Sequence, residues 1–94
     1  MSHTPEFTTL SDAAKTIRPG DHYRHFKGDE YVIVGVGKHT ETLEEFVVYK
    51  LVNQADNVLC IRPLTMFLDT VNRAGYAGFR FTKLKESSGG TIKT

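Results

Sequence analysis

The fold is decided by the stretch Gly20-Asp-His-Tyr-Arg-His-Phe-Lys-Gly-Asp-Glu-Tyr-Val-Ile-Val-Gly-Val36. Residues 31–36 are β-branched and aromatic around one glycine, which is the composition of a strand. Residues 21–26 predict a shorter strand before it. Residues 27–30 predict a tight turn in which Gly28 adopts a positive φ. The stretch therefore predicts an antiparallel hairpin at the centre of a small β-protein.

Strands and turns continue on both sides of this hairpin. Five strands are predicted, at 21–26, 31–36, 46–52, 58–62 and 79–84, with a glycine-containing loop at 71–78. Residues 9–17 predict a short helix, capped by Thr9 or Ser11 and ended before Pro19. Pro63 begins a single helical turn between strands four and five. This succession predicts a mostly β fold, a small SH3-like five-stranded barrel with a short N-terminal helix; an open α+β roll is the alternative.

The 94 residues are enough for one domain with one modest core. We expect a flexible N-terminus over residues 1–8, a single β-barrel domain over 9–84 and a flexible tail over 85–94. The predicted core consists of Ile33, Val48, Ile61, Phe67 and Phe81. Gly35 and Gly37 lack the third glycine and the following helix of a dinucleotide-binding motif, so they predict a bulge or a close backbone approach.

Composition excludes several classes of function. Twelve basic and eleven acidic residues leave a formal net charge of +1. No global basic field therefore exists to hold nucleic acid, which leaves only a local patch for that role. The single Cys60 rules out an internal disulfide and a thiolate zinc framework. With no apolar signal segment at the start and no apolar run of about 18 residues, we expect a cytoplasmic protein without a membrane partner.

The chain carries a recognisable string of unlike residue types. It runs Gly20-x-x-Tyr23-x-His25-x-Lys27-Gly28-x-x-Tyr31, then His39-Thr40-Glu41-Thr42-x-Glu44, Val47-Val48-Tyr49 and Arg62-Pro63-x-x-Met66-Phe67. In this pattern the chain resembles the bacterial family called domain of unknown function 1653. The resemblance implies a small, mostly β cytosolic bacterial domain and supplies no established activity. Two positions depart from it: Cys60 stands where members often carry tryptophan, and Phe79 where a proline usually precedes Arg80.

The polar and aromatic residues of this pattern form the candidate site. The ten candidate ligand-binding residues are Tyr23, His25, Lys27, Tyr31, His39, Glu41, Thr42, Tyr49, Arg62 and Met66. Residues two apart on a strand share a face, so Tyr23 and His25 point together, away from His22 and Arg24. A His/Glu pair beside two cations would form a mixed-charge cleft for a small polar or anionic ligand.

The same residues allow a structural interpretation, in which Glu41 bridges to Arg62 or His25 and holds the loop 38–45 against the barrel. A metal site formed by His25, His39 and Glu41 has weak support, because nothing in the sequence shows that these residues converge. We therefore expect no metal and no cofactor.

Three functions from different classes remain open. The preferred one is a bacterial binding module for a small polar or anionic ligand or a nucleotide. The second is a very small hydrolase acting on an amide-type bond, which needs a base, an electrostatic stabiliser and a hydroxyl in one network. Its candidates are Glu41 or Glu44, Lys27, and Thr40 or Thr42, in that order. The third is a protein-interaction barrel. Clustered aromatic residues also leave nucleobase stacking open, although the sequence carries no strong nucleic-acid signal and does not determine the oligomeric state.

Overall fold

A computed structural model of the chain describes residues 8–73 and 75–85. In chain order the elements are α1 (Asp12–Lys15), β1 (His22–His25), β2 (Glu30–Lys38), β3 (Glu45–Leu51), β4 (Cys60–Pro63), α2 (Leu64–Phe67), β5 (Thr70–Arg73), β6 (Tyr76–Phe79) and β7 (Phe81–Lys85). The expected flexible ends, 1–8 and 85–94, lie outside the described residues except for Thr8 and Lys85, and Lys85 ends β7. No helix within the described ranges is long and apolar enough to cross a membrane.

Five strands form one antiparallel sheet in the order β4-β3-β2-β1-β7, and β5 pairs with β6 in a separate ribbon. Within the described residues this sheet stays open, with β4 and β7 as its two edges, so the closure expected of an SH3-like barrel is not confirmed. The segment 71–78, expected as a loop, forms most of the ribbon, which turns at Gly75 with φ of 83°. Because β7 pairs with β1 alone, it lies at the far side of the sheet from β4, and the barrel has no closing pair.

The central hairpin forms as the sequence predicted. β1 pairs with β2, and Tyr23 faces Tyr31 across the pair. The connecting turn is held by two short hydrogen bonds, from the amide of His25 to the carbonyl of Asp29 at 2.8 Å and from the amide of Gly28 to the carbonyl of His25 at 2.7 Å. Gly28 has a φ of 116°, a backbone conformation that L side chains rarely adopt.

The predicted bulge also lies in β2. Ile33 faces Tyr49 on β3, whereas Gly35 faces Val48, so β2 carries one extra residue at this point. A Cβ built on Gly35 would meet no atom within 4 Å, which makes the bulge, rather than a close backbone approach, the correct alternative. The bulge lets Ile33 and Val36, three positions apart, both pack against the core.

The core fills the inner face of the open sheet. Within the described residues it consists of Ala14, Ile17, Tyr23, Ile33, Val47, Tyr49, Leu64, Phe67 and Phe81. Pro63 is the residue before α2, and this short helix places Phe67 over the sheet at 1% exposure. The rings of Phe67 and Phe81 are stacked, with centroids 4.2 Å apart and planes at 11°. The helix and the sheet are therefore joined through an aromatic pair.

Two of the five predicted core residues lie on the wrong face. Val47 and Tyr49 point inward at 0% and 4% exposure, which turns Val48 outward. Ile61 faces Val48 from β4 and is 65% exposed. The error arises because residues 46–49 are all apolar, so the sequence shows no alternation from which the buried face could be chosen.

The helix α1 is fastened to the sheet by its cap. Ser11, one of the two predicted caps, accepts a hydrogen bond from the amide of Ala14 at 3.2 Å. The hydroxyl and the amide of Ser11 donate to the two carboxylate oxygens of Glu45 on β3, each at 2.7 Å. These hydrogen bonds hold the pKa of Glu45 below its usual range. One serine therefore both starts the helix and positions it on the sheet.

A buried carboxylate holds the connection between α1 and β1. Arg18 to Asp21 form a turn closed by the amide of Asp21 donating to the carbonyl of Arg18 at 3.0 Å, with Gly20 at φ of 91° as a type II turn requires. The Asp21 side chain is 0% exposed and accepts from the amide of Arg18 at 2.9 Å. Lys83 on β7 lies 3.5 Å from the carboxylate, so the turn is tied to the far edge of the sheet.

The face assignment is tested by two neighbouring substitutions. Val47→Asp places a charge at a position with 0% exposure and should prevent cooperative folding. Position 48 lies on the outer face of β3, where water reaches the carboxylate of an aspartate. The Val48→Asp variant should therefore keep a cooperative urea transition. Urea unfolding followed by circular dichroism measures both, and the reverse result would show that the two faces of β3 are exchanged.

The cap is tested by Ser11→Ala. Loss of the hydroxyl removes the N-cap and one of the two hydrogen bonds to Glu45, and we expect a loss of about 1 kcal/mol in the free energy of unfolding. The measurement is the urea midpoint at constant slope. Thr16→Ala, which removes a hydroxyl at the other end of α1, serves as the control, and an equal loss in both variants would contradict a specific role for Ser11.

Candidate functional site

The predicted site residues lie at the two ends of β2. His25, Lys27 and Tyr31 are near its first residue, whereas His39 and Glu41 follow its last. β2 has nine residues, which places the two groups roughly 26 Å apart along the strand. The sequence treated them as one cleft, and the structure separates them.

This separation divides the residues of two arrangements that the sequence allowed, the hydrolase network and the metal site. The hydrolase network needs Lys27 together with Glu41 or Glu44, which follow the opposite end of β2. The metal site of His25, His39 and Glu41 is divided in the same way. Among the described residues, no three His, Cys, Asp or Glu side chains lie close enough to hold a metal ion. A bridge from Glu41 to Arg62 or His25 is likewise not formed.

The loop after β2 is a compact turn fastened by its own histidine. The Nδ1 atom of His39 accepts hydrogen bonds from the amides of Glu41 at 3.0 Å and Thr42 at 3.1 Å. The hydroxyl of Thr42 in turn accepts from the amide of Glu44 at 3.2 Å. Leu43 adopts a φ of 66°. The loop is a turn rather than an extended segment, and the side chains of His39 and Thr42 support it.

His39 also borders a shallow cleft of about 330 Å³ on the outer face of the sheet. Its other lining residues are Gly37, Lys38, Phe46 and Ile61. The lining is largely apolar, so this cleft offers few groups that would orient a polar ligand.

At the other end of β2, five side chains meet on the inner face of the sheet, and we call them the Arg62 cluster. They are His25, Tyr31, Tyr49, Arg62 and Phe81. The Nε of Arg62 donates a hydrogen bond to the hydroxyl of Tyr49 at 3.1 Å. The guanidinium carbon lies 5.4 Å from the centre of the Phe81 ring.

These two contacts fix the guanidinium of Arg62 while leaving part of it available. No side chain or carbonyl of the described residues accepts a hydrogen bond from either Nη group of Arg62. The side chain is half-buried, so the charge is partly removed from water. A planar cation held at one edge and open at the other is prepared to bind a carboxylate or phosphate through two parallel hydrogen bonds.

His25 lies beside this cation as a neutral donor. Its Nδ1 accepts the amide of Lys27 at 3.1 Å, which assigns the proton of the neutral ring to Nε2. Its ring meets Phe81 edge-on, with centroids 5.0 Å apart. Burial lowers the pKa of His25 below 6.5, and the positive charges of Arg62, Arg80 and Lys27 lower it further.

Tyr31 contributes a second neutral polar group. Its ring makes edge contacts with Tyr49 at 5.2 Å and with Phe81 at 6.0 Å. Burial raises the pKa of Tyr31, and the negative charge of Asp29 adds to the effect. The phenol therefore stays protonated at neutral pH and keeps its hydrogen-bond donor.

A salt bridge beside the cluster was missed by the sequence analysis. Nε of Arg80 donates to Oδ1 of Asp69 at 2.8 Å, and Nη2 to Oδ2 at 3.4 Å. The hydrogen bond from Arg80 holds the pKa of Asp69 below its usual range. The backbone of Arg80 also accepts the amide of Phe26 at 2.9 Å. The ion pair joins the segment after α2 to the residue before β7, and the backbone hydrogen bond from Phe26 joins that residue to the β1–β2 turn. The signal in the sequence was Arg80, which is part of the family pattern.

The last two predicted residues lie apart from the polar groups. Tyr23 is 6% exposed and packs edge-on against Phe67 at 5.1 Å, so its ring belongs to the core. Met66 is 47% exposed on α2. The structure therefore gathers three of the ten predicted residues around Arg62, namely His25, Tyr31 and Tyr49, with Lys27 in the adjacent turn.

Comparison with known proteins agrees with the fold. A family model described as "Protein of unknown function (DUF1653)" matches residues 21–83, a span that includes the whole Arg62 cluster. A crystal structure of a DUF1653 protein from Bordetella bronchiseptica matches with a TM-score of 0.66 and 30% identity, over 80% of this chain and 96% of that chain. No curated protein matches the chain.

The environment of His25 predicts a pH dependence of stability. Because the folded pKa lies below 6.5, the unfolded chain takes up the proton first as the pH falls. The stability that depends on neutral His25 is present above about pH 6.5 and is lost as the pH falls through the folded pKa. His25→Asn keeps an acceptor for the amide of Lys27 without the titration. We expect the urea midpoint to fall less in this variant between pH 7.5 and 5.5 (about one unit either side of the ordinary histidine value); equal falls would contradict the assignment.

Proposed function

We propose, for a chain that belongs to the DUF1653 family of proteins of unknown function, that the Arg62 cluster binds a small ligand through an anionic group. The observation that carries the proposal is the guanidinium of Arg62, held by Tyr49 and Phe81 with its Nη groups free of acceptors among the described residues. Binding that requires no reordering of the arginine saves the entropy that a mobile side chain would lose.

The surrounding charges support an anion. Arg62, Arg80 and Lys27 all lower the pKa of His25, which means that their positive potential reaches the same point. Asp69 is engaged by Arg80, so its charge is already compensated. A ligand that brings a negative charge to this position gains attraction from the remaining cations in a half-buried setting, where water screens it less.

The proposed ligand-binding set is smaller than the one predicted from sequence. It keeps His25, Lys27, Tyr31, Tyr49 and Arg62. It gives up His39, Glu41 and Thr42, which support a turn at the other end of β2. The proposed set therefore consists of cations, neutral donors and rings, without the glutamate that the sequence analysis included.

The proposal is of a binding module in the bacterial cytoplasm rather than an enzyme. The resemblance and the single cysteine support the cytoplasmic location. The separation of Lys27 from Glu41 and Glu44 supports a binding module over the hydrolase. A ligand with a planar part next to its anionic group suits the cluster best, because the half-buried Tyr31 supplies a ring in the same cluster as Arg62.

A thermal-shift screen tests the proposal. Wild-type protein is melted with inorganic phosphate, with nucleoside mono- and triphosphates, and with small carboxylic acids. A ligand at 100 times its dissociation constant stabilises the folded state by about 2.7 kcal/mol, which raises the melting temperature measurably in a small domain.

The same screen on two variants assigns the site. Arg62→Lys keeps the charge and loses the planar fork, so the rise in melting temperature should fall to less than half of that in wild type. Lys15→Met, which removes a charge from exposed α1, should keep the full rise. A ligand that stabilises wild type and Arg62→Lys equally would show that binding occurs elsewhere.

A further inference from the structure

We infer that the surface continuing from the Arg62 cluster across Phe26 to Tyr76 binds single-stranded nucleic acid, with a base stacked at Tyr76 and phosphates held by the flanking cations. The juxtaposition that carries this inference is a row of four rings with cations over two of them, Phe81 and Phe26. It extends the proposed anion site and rests on that proposal only for the contact to Arg62.

The row is continuous from the sheet interior to the β5–β6 ribbon. The ring of His25 contacts Phe81 on one side, at 5.0 Å, and Phe26 on the other, at 4.7 Å. Phe26 then stacks on Tyr76 with centroids 5.6 Å apart and planes at 17°. Phe81 is buried at 6% exposure, so bases reach the row only at its outer end, where Phe26 and Tyr76 form a ring pair on which a base of any kind can stack.

The cations follow the same row. Arg62 lies over Phe81 at 5.4 Å, and Arg73 and Lys27 lie 5.5 and 5.9 Å from the centre of Phe26. Arg24 lines the cleft beside Phe26 and Tyr76. Of the acids nearby, Asp69 pairs with Arg80, and Glu30 hydrogen-bonds to His22, whose ring carries a charge only when it is protonated. A molecule with formal charge of +1 thus concentrates positive charge at one end.

Tyr76 is held in place as a platform. Its hydroxyl donates to the carbonyl of Phe79 at 2.8 Å, so the ring lies along β6. Gly78 makes room for it, because a Cβ there would come within 2.7 Å of the Tyr76 hydroxyl oxygen and 3.0 Å of the ring. The ring is 37% exposed, which leaves surface for a base.

A cleft of about 260 Å³ opens at this platform. Its walls include Arg24, Phe26, Tyr76 and Thr82. It therefore presents a ring surface, a hydroxyl and a guanidinium together, which suits one nucleotide unit. Arg62 lies one buried ring beyond this cleft, over Phe81, whereas Lys27 and Arg73 flank Phe26 at the cleft itself. These cations are more than one phosphate uses, which favours a strand over a single nucleotide.

The experiment measures binding of a fluorescein-labelled oligothymidylate of about eight nucleotides by fluorescence anisotropy at low salt. Removal of one stacking ring costs from about fivefold to a hundredfold in affinity. We expect Tyr76→Leu to weaken binding within that range. Gly78→Ala, which displaces the ring without removing it, should weaken binding in the same direction. Phe79→Leu removes an exposed ring from the opposite face of β6 and should leave the affinity unchanged.

Two further arms identify what is recognised. An abasic strand of the same length should bind wild type more weakly and should not distinguish wild type from Tyr76→Leu, because it has no base to stack. Arg62→Lys and Arg73→Met should each weaken binding of the oligonucleotide. Arg73→Met, which removes a charge, should also reduce the slope of log affinity against log salt by about 0.7. Urea unfolding of each variant verifies that it is folded.

The inference is overturned by equal affinities of wild type and folded Tyr76→Leu, by an abasic or double-stranded ligand binding as tightly as the single strand, or by absence of oligonucleotide binding. A mononucleotide that binds as tightly as the oligonucleotide also overturns it. In each of these cases, a melting-temperature rise with phosphate or a nucleotide that depends on Arg62 would leave the proposed small-ligand function intact. Loss of that rise together with retained, Tyr76-dependent strand binding would instead remove the small-ligand proposal.

Discussion

The stack between Phe67 and Phe81 is the contact on which the rest of the structure depends. An open sheet exposes its inner face, and a chain of this length has little else with which to cover it. The α2 helix has four residues and no side-chain cap, so its own hydrogen bonds would not hold it in place. Phe67, which also meets Tyr23 and Tyr49 edge-on, fixes it there. Loss of a buried phenylalanine costs about 3–5 kcal/mol, a large part of the roughly 5–15 kcal/mol that holds a small domain folded.

The same stack has a second consequence, for the guanidinium of Arg62. Phe81 presents one side to Phe67 and also lies against Arg62 and His25. Because the core packing immobilises the Phe81 ring, this ring is a rigid support that limits the movement of the Arg62 guanidinium. Tyr49 acts in the same way, since its ring is buried against Phe67 while its hydroxyl accepts from Arg62. The residues that hold the fold together and those of the Arg62 cluster are therefore in direct contact.

The sequence predicted local features well and long-range ones poorly. The hairpin of β1 and β2, the positive φ of Gly28, the bulge at Gly35 and the cap at Ser11 each depend on a few neighbouring residues, and each is observed. The buried face of β3 was misassigned because consecutive apolar residues carry no period of two. The ribbon of β5 and β6 and the Arg80–Asp69 pair were missed, since both depend on contacts between segments that the sequence treated as loop and strand. The candidate site residues were treated as one group for the same reason, because their distribution between the two ends of β2 depends on the topology.

His25 and His39 show most clearly what topology adds. Each ring accepts, through Nδ1, the backbone amide of the residue two positions later, in His25-Phe-Lys27 and in His39-Thr-Glu41. By local sequence and local hydrogen bonding the two histidines are equivalent. The two imidazole rings differ in what surrounds them. His39 is exposed on a hairpin loop, whereas His25 lies between Phe26 and Phe81 with Arg62 nearby. The same local hydrogen bond therefore supports a turn at His39, whereas at His25 it leaves Nε2 as a hydrogen-bond donor near the guanidinium of Arg62.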